Sequence, residues 1–260
     1  MAITTNLFDL TGKVALLTGA SKGMGLAMAE ALAEHGARVV ISSRKLDQCE
    51  LAAGRINERC GDGTAIAVAC NIGHKDQLEN LVNETHEQLG PVDILVCNAG
   101  INPFYGPMSE IPDWAFDKIL GSNVRSNHWL CQMVAPDMVE KGAGSIIITS
   151  STGAFHPSDV LGTYNISKIA ELGLVRNLAM ELGPQGIRVN AICPGTIKTD
   201  FARVLWETEE AARGVIAGTP LRRIGEPEDL KGVAVFLASN ASGHITGQAL
   251  TVCGGMFMWR

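Results

Sequence analysis

The sequence predicts one α/β domain: a doubly wound, seven-stranded parallel sheet with helices on both faces. Three observations lead there. Short apolar runs alternate with longer amphipathic ones along nearly the whole chain, which implies right-handed crossovers between parallel strands. The short runs are almost continuously apolar, as strands covered on both faces must be. The first of them runs straight into a glycine cluster and a helix-like segment.

The strands are expected at "KVALLTGA" (13–20), "ARVVISS" (37–43), "TAIAVAC" (64–70), "VDILVCNAG" (92–100), "GSIIITSS" (144–151), "GIRVNAICPG" (186–195) and "QALTVCGG" (248–255). Helix-like segments lie between them near 24–35, 45–59, 75–89, 113–139, 162–182 and 227–239. No repeat, low-complexity tract or linker interrupts the series, so residues 1–260 read as a single domain. Residues 196–220 are longer than a strand–helix turn requires. Extra chain after a parallel strand is where open α/β sheets place ligand-binding elements, so this segment is expected to be a substrate lid. A peripheral helix pair is the alternative.

Composition excludes several classes. The chain of 260 residues carries a net charge of −6 and no long basic run, which argues against nucleic acid as a partner. Its seven cysteines are odd in number, scattered and never spaced C-x-x-C. They read as reduced thiols, with neither a disulfide framework nor a metal site. No apolar run reaches membrane-spanning length, the N-terminus lacks a signal-peptide pattern, and the last residues are no peroxisomal address. A cytoplasmic protein without a membrane partner is expected.

The glycine cluster "TGASKGMG" places Gly19, Gly23 and Gly25 between the first strand and its helix. Glycine permits a positive φ and lets backbone approach a pyrophosphate, which then meets the helix N-terminus. This is the sequence sign of a Rossmann fold, although the spacing is G-x-x-x-G-x-G rather than G-x-G-x-x-G. Ser21, Lys22 and Met24 lie in the same loop and count among the candidate cofactor contacts. After the second strand come Ser43 and Arg44, where an NAD site usually presents a carboxylate. A guanidinium with Lys22 nearby suits a 2′-phosphate, so NADP(H) is expected over NAD(H); both cations as solvated surface charges is the alternative. Asn71, followed by Ile72, is a candidate for the adenine edge, and Asn98, Ala99 and Gly100 for the adenosine ribose. Strand-end asparagines also form turns.

In "GTYNISKIAE", Tyr164 and Lys168 stand four apart, which on a helix brings Cβ atoms to about 5–6 Å. An ordinary phenol ionises near pH 10, too high for a useful base at neutral pH, and a neighbouring ammonium lowers that value. Such a phenol exchanges a proton with a carbonyl or alcohol oxygen. The pair alone is equally an ordinary helix face. Ser151, thirteen residues earlier at a strand end, is placed to hold the same oxygen; Ser150 is the alternative. Asn123 sits inside a helix-like segment, where asparagine marks a kink or a site.

With those residues in order, the sequence resembles the short-chain dehydrogenase/reductase family from residue 8 to about 255. The motifs are "TGASKGMG", "CNAG", Asn123, the serine pair, "YNISK", "PGTIKT" and "ITGQALTVCGG". The resemblance implies Tyr164 as acid/base, Lys168 lowering its pKa and holding the nicotinamide ribose, Ser151 orienting the carbonyl, and Asn123 supporting a water relay. It also implies Pro194, Gly195, Ile197 and Thr199 beside the nicotinamide amide, and a homotetramer. "NAGINPFYG", "KTDFARVLWE" and "SSRK" further resemble the NADPH-dependent carbonyl and retinal reductases of that family. Asn71, Ala154 and Cys253 depart from the family's pattern, which often has aspartate, glycine and aspartate there.

An apolar substrate pocket is expected around Phe155, Phe201 and Leu205 together with Ser151 and Tyr164. It suits a small hydrophobic ketone, aldehyde or alcohol. The alternatives are a 3-oxoacyl-[acyl-carrier-protein] reductase-like enzyme, an NAD-dependent secondary alcohol dehydrogenase, and a dinucleotide-binding regulator without turnover.

Overall fold

A computed structural model describes residues 6–258. Seven strands form one sheet in the order β3-β2-β1-β4-β5-β6-β7, and every pair is parallel. They are β1 (Val14–Thr18), β2 (Arg38–Ser43), β3 (Ala65–Ala69), β4 (Ile94–Cys97), β5 (Gly144–Thr149), β6 (Ile187–Pro194) and β7 (Ala249–Val252). The helices are α1 (Gly23–Glu34), α2 (Leu46–Cys60), α3 (Lys75–Gln88), α4 (Asp113–Leu120), α5 (Ser126–Lys141), α6 (Gly162–Leu182), α7 (Glu209–Gly218) and α8 (Lys231–Ala238).

The continuous apolar strands serve two cores. Successive side chains of a strand point to opposite faces. Leu16, Val40, Leu95, Ile146 and Val189 pack with Leu81, Val134 and Leu172 of α3, α5 and α6. Their neighbours Ala15, Leu17, Ile41, Ile94 and Ile147 pack with Met28, Leu32, Ile56 and Leu237 of α1, α2 and α8. A strand exposed on one face has no use for both sets.

The chain builds β1, β2 and β3 outward in one direction, then returns to place β4 on the other side of β1. At such a reversal the connections leave in opposite directions and open a crevice beyond the strand ends. Thr18, the last residue of β1, lines that crevice, and β4 ends beside it at the buried Cys97.

Most sequence-based boundaries shift by one to a few residues, and three of the differences have a clear physical cause. The expected strand at 92–100 ends at Cys97, because Asn98 turns to bond the neighbouring loop: its amide donates to the carbonyls of Thr18 (3.2 Å) and Gly19 (3.0 Å). The expected helix at 113–139 divides into α4 and α5 around a wide π turn, Gly121–Arg125. There Asn123 takes the backbone of Ile101 as its partner instead of solvent. The strand expected to 255 stops at Val252, since Gly254 and Gly255 adopt positive φ. Residues 196–220 contain a 3₁₀ turn, Asp200–Leu205, and α7.

Candidate active site

The crevice is a cleft of about 870 Å³. One wall is the loop between β1 and α1. Gly19 and Gly23 have φ of +63° and +58°, and a Cβ on Gly25 would stand 2.3 Å from the Gly19 carbonyl oxygen. No side chain caps α1, so its first-turn N–H groups point outward with the positive end of the helix dipole. The Asn98 side-chain oxygen beneath the loop is buried without a partner. A shallow glycine cradle, open helix N–H groups and an orphaned acceptor fit a dinucleotide's pyrophosphate and ribose.

Ser21, Lys22 and Met24 line the cleft with the glycines, as do Ser43, Arg44, Asn71, Ile72, Asn98, Ala99, Gly100 and Thr199. Arg44 is exposed and makes no ion pair among the described residues. Lys22 differs from the expectation of a free phosphate ligand: its ammonium donates to Asp200 at 2.6 Å. That bond ties the glycine loop to the chain after β6. The bonds from Lys22 and Arg203 hold the Asp200 carboxyl down at about 2. Asn71 acts partly as a turn former, since its side-chain oxygen accepts from Gly73 N–H at 3.2 Å.

The opposite wall is α6. Tyr164 and Lys168 share one face of it and both line the cleft, with the ammonium 5.5 Å from the phenol ring centre. Lys168 is 4% exposed. It donates to the Thr149 carbonyl at 3.0 Å and to both oxygens of Glu171, at 2.9 and 3.1 Å. Glu171 is wholly buried. The Ser150 hydroxyl donates to the Lys168 carbonyl at 2.8 Å, which ties it to the helix backbone. The Ser151 hydroxyl is the one that favours the Tyr164 phenolate, and it accepts from Gly153 N–H at 3.0 Å.

Lys168 favours the Tyr164 phenolate, as expected, but its pull does not carry the phenol below its ordinary value. Burial pushes the phenol up, Lys168 opposes this, and Glu171 adds to the rise. Burial lowers the Lys168 value most strongly, but Glu171, Tyr164 and Cys193 together outweigh it, so the value rises. Asn123 is held by protein partners on every side-chain polar atom. Fully buried, it accepts from Ile101 N–H (2.9 Å) and donates to the Ile101 carbonyl (3.0 Å) and the Ser167 hydroxyl (2.9 Å). Both amide hydrogens are thereby used, leaving none to donate to a relay. It sits close to the lysine all the same: a Cβ on Gly100 would meet Lys168 Nζ at 3.5 Å and Asn123 Oδ1 at 3.6 Å.

The expected substrate residues separate. Phe201 lines the cleft, its ring centre 5.9 Å from that of Tyr164. Phe155, Leu205 and Ser151 do not line it, whereas Ser150, the alternative to Ser151, does. Phe155 instead stacks on Phe257, with ring centres 4.5 Å apart, a contact supplied by chain a hundred residues away in sequence. Pro194 and Gly195 also stand off the cleft, and a Cβ on Gly195 would press on Cys253 at 2.8 Å. The Ile197 side chain is buried in the α1–α8 core.

Glu171 is the residue sequence reasoning missed. Its signal was present: an acid three residues after Lys168 and seven after Tyr164, on the face those two share. Lys45, Lys118 and Lys198 also line the cleft unanticipated.

Residues 19–257 match a family model described as enoyl-(acyl carrier protein) reductase. A curated relative, dehydrogenase/reductase SDR family member 4 of Bos taurus, is 41% identical over 247 residues, 95% of this chain and 88% of the relative. A gluconate 5-dehydrogenase structure from Burkholderia cenocepacia, in complex with NADP and tartrate, superposes with a TM-score of 0.91. It is 30% identical and the match covers 96% of this chain and 97% of that one. A 7α-hydroxysteroid dehydrogenase structure with NADH and 7-oxo glycochenodeoxycholic acid gives 0.89 at 38% identity, covering 96% of each chain.

Proposed function

Because the chain belongs to the short-chain dehydrogenase/reductase family of oxidoreductases, we propose that it is an NADP(H)-dependent reductase of hydrophobic ketones and aldehydes. In reverse it oxidises the matching alcohols. The observation that carries this reading is one cleft lined both by the glycine cradle and by Tyr164 with Lys168.

Hydride exchange with the substrate carbon is the chemistry a nicotinamide dinucleotide supplies when bound. In this reading Gly19, Ser21, Lys22, Gly23, Met24 and Gly25 hold its pyrophosphate, and Asn71 and Ile72 border the adenine. Asn98, Ala99 and Gly100 border the ribose. Ser43 and Arg44 receive a 2′-phosphate; an exposed, unpaired guanidinium supports that preference. Thr199, which lines the cleft, offers its hydroxyl to the amide, with Pro194, Gly195 and Ile197 shaping the chain that leads to it.

Tyr164 gives its proton to the substrate oxygen as the carbonyl is reduced, and takes it back in alcohol oxidation. Ser151 holds that oxygen. Lys168 fixes the charge beside the phenol, and Asn123 braces the loop at Ile101 and the α6 turn through Ser167. Phe201, joined in this reading by Leu205, brings apolar surface from the segment 196–220, which we assign as a lid over one domain formed by residues 1–260. The exposed Ile166 and Ile169 of α6 and Trp114 of α4 support a homotetramer built through these helices. Seven free thiols support a cytoplasmic location.

The test is a cofactor-consumption screen with NADPH and NADH over hydrophobic ketones, an acetoacetyl thioester and gluconate-type polyols. Fastest turnover of a hydrophobic ketone with NADPH is expected. A preference for the thioester would favour the acyl-carrier reading, and a preference for NADH would remove Arg44 from its role.

A further inference from the structure

Glu171 has no part in the chemistry just described, yet it meets the buried ammonium at 2.9 and 3.1 Å. Its surroundings make this choice of residue unusual. It lies within α6 between the buried Lys168 and the buried Leu172 and Val175, where an apolar side chain suits the core. The groups facing it from the other elements are Cys97 of β4, Cys193 of β6 and Ser150 at the end of β5. Cys131 of α5 stands behind, its free thiol hydrogen-bonded with that of Cys97. Burial pushes the Cys193 thiol up to about 12, and the hydrogen bond with Cys131, together with burial, raises that of Cys97, so these thiols stay neutral. Lys168 is therefore the sole charge answering Glu171 among the described residues.

A buried ion pair adds little stability over apolar side chains of similar volume. What it changes is the field at the neighbouring group. An ammonium alone beside Tyr164 would favour phenolate; an ammonium tied to a carboxylate presents a dipole of nearly no net charge. We propose that Glu171 is a positioning residue acting through Lys168: it takes the ammonium's charge and two of its bonds, keeps Tyr164 a phenol, and biases the site toward giving a proton to a carbonyl. Alcohol oxidation, which needs phenolate, is confined to alkaline pH. The Glu171 carboxyl lies at about 7, so it is ionised throughout the alkaline range in which the phenol titrates. This inference rests on Tyr164 as the acid/base.

The test needs no cofactor at its first step. The chain has two tyrosines, and the other, Tyr105, is exposed. Ultraviolet difference titration of the wild type minus Tyr164→Phe therefore isolates the Tyr164 phenol. Glu171→Gln is expected to move that titration down by about one pH unit, about tenfold more phenolate at a fixed pH. The rising limb of alcohol oxidation should move down by the same amount. Glu171→Leu removes the charge with an apolar side chain and should shift both in the same direction, should the glutamine variant not fold. A packing role alone lowers Tm or kcat and leaves both pH values in place, and that result overturns the proposal. A wild-type Tyr164 titrating below an ordinary phenol, about 10, overturns it with no change at residue 171. Full turnover by Tyr164→Phe would instead sink the acid/base reading itself, and the inference with it, whatever the titration shows.

Discussion

Two lysine–carboxylate pairs set a lysine on the same cleft, and they have little in common beyond contact distance. Lys22 meets Asp200 at 2.6 Å on the rim, with side chains 64% and 52% exposed. Lys168 meets Glu171 at 2.9 Å in the interior, with side chains 5% and 0% exposed. On the rim, water and salt screen the charges, and either partner can be exchanged for a ligand group at small cost. In the interior neither charge can leave the other without facing apolar surroundings alone. The rim pair is therefore a replaceable tie between the glycine loop and the segment after β6, while the inner pair is a fixed setting of the charge beside Tyr164.

The largest effect should come from splitting the inner pair. Lys168→Met leaves Glu171 buried without its partner, and removing one member of a buried pair costs about 3–5 kcal/mol. Calorimetry should show a lowered Tm, and turnover should fall by at least about a hundredfold. The sign of the pH dependence follows from Glu171. Its carboxyl is already raised in the folded protein, to about 7, and losing the ammonium raises it further. A group raised on folding favours the fold below its unfolded value and loses that contribution as pH rises through the folded one. Wild type and variant lose that contribution alike below about 7, so the Tm deficit should widen as pH rises above it. A deficit independent of pH would break the contrast between the two pairs.

Next in size is Arg44→Asp. A hydrogen bond to a charged group contributes about 1.5–3 kcal/mol, so the ratio of kcat/KM for NADPH over NADH should fall by at least about tenfold. An unchanged ratio would place the phosphate-binding charge elsewhere, on Lys45 or Lys22. The smallest effect belongs to the rim. Asp200→Asn frees Lys22 and should tighten NADPH binding by no more than a few-fold at low salt, a gain that salt then removes. Because Asp200 is held at about 2, this effect should not vary with pH across the neutral range. A large, salt-independent change would mean that the rim tie is not exchangeable.

The same contrast separates what was legible in the sequence from what was not. The sheet was legible because burial on both faces writes itself as unbroken apolar runs, such as "VALLT" of β1 and "SIIIT" of β5. Gly19, Gly23 and Gly25 were legible because backbone geometry admits almost no other residue there. Asn123 showed as an anomaly in a helical pattern, but its partners Ile101 and Ser167 are fixed by tertiary packing. Glu171 passed as an ordinary helix acid, since charged side chains on helices normally face water. The Lys22–Asp200 tie and the Phe155–Phe257 stack join residues far apart in sequence, and no local pattern records such a meeting.

The central claim is that Tyr164 moves the proton in a cleft whose glycine wall binds the dinucleotide independently of it. Tyr164→Phe tests both halves together, with NADPH affinity read by fluorescence and turnover read on the fastest ketone. Unchanged affinity with turnover reduced by at least about a hundredfold is the predicted result. Turnover at the wild-type rate would contradict the account.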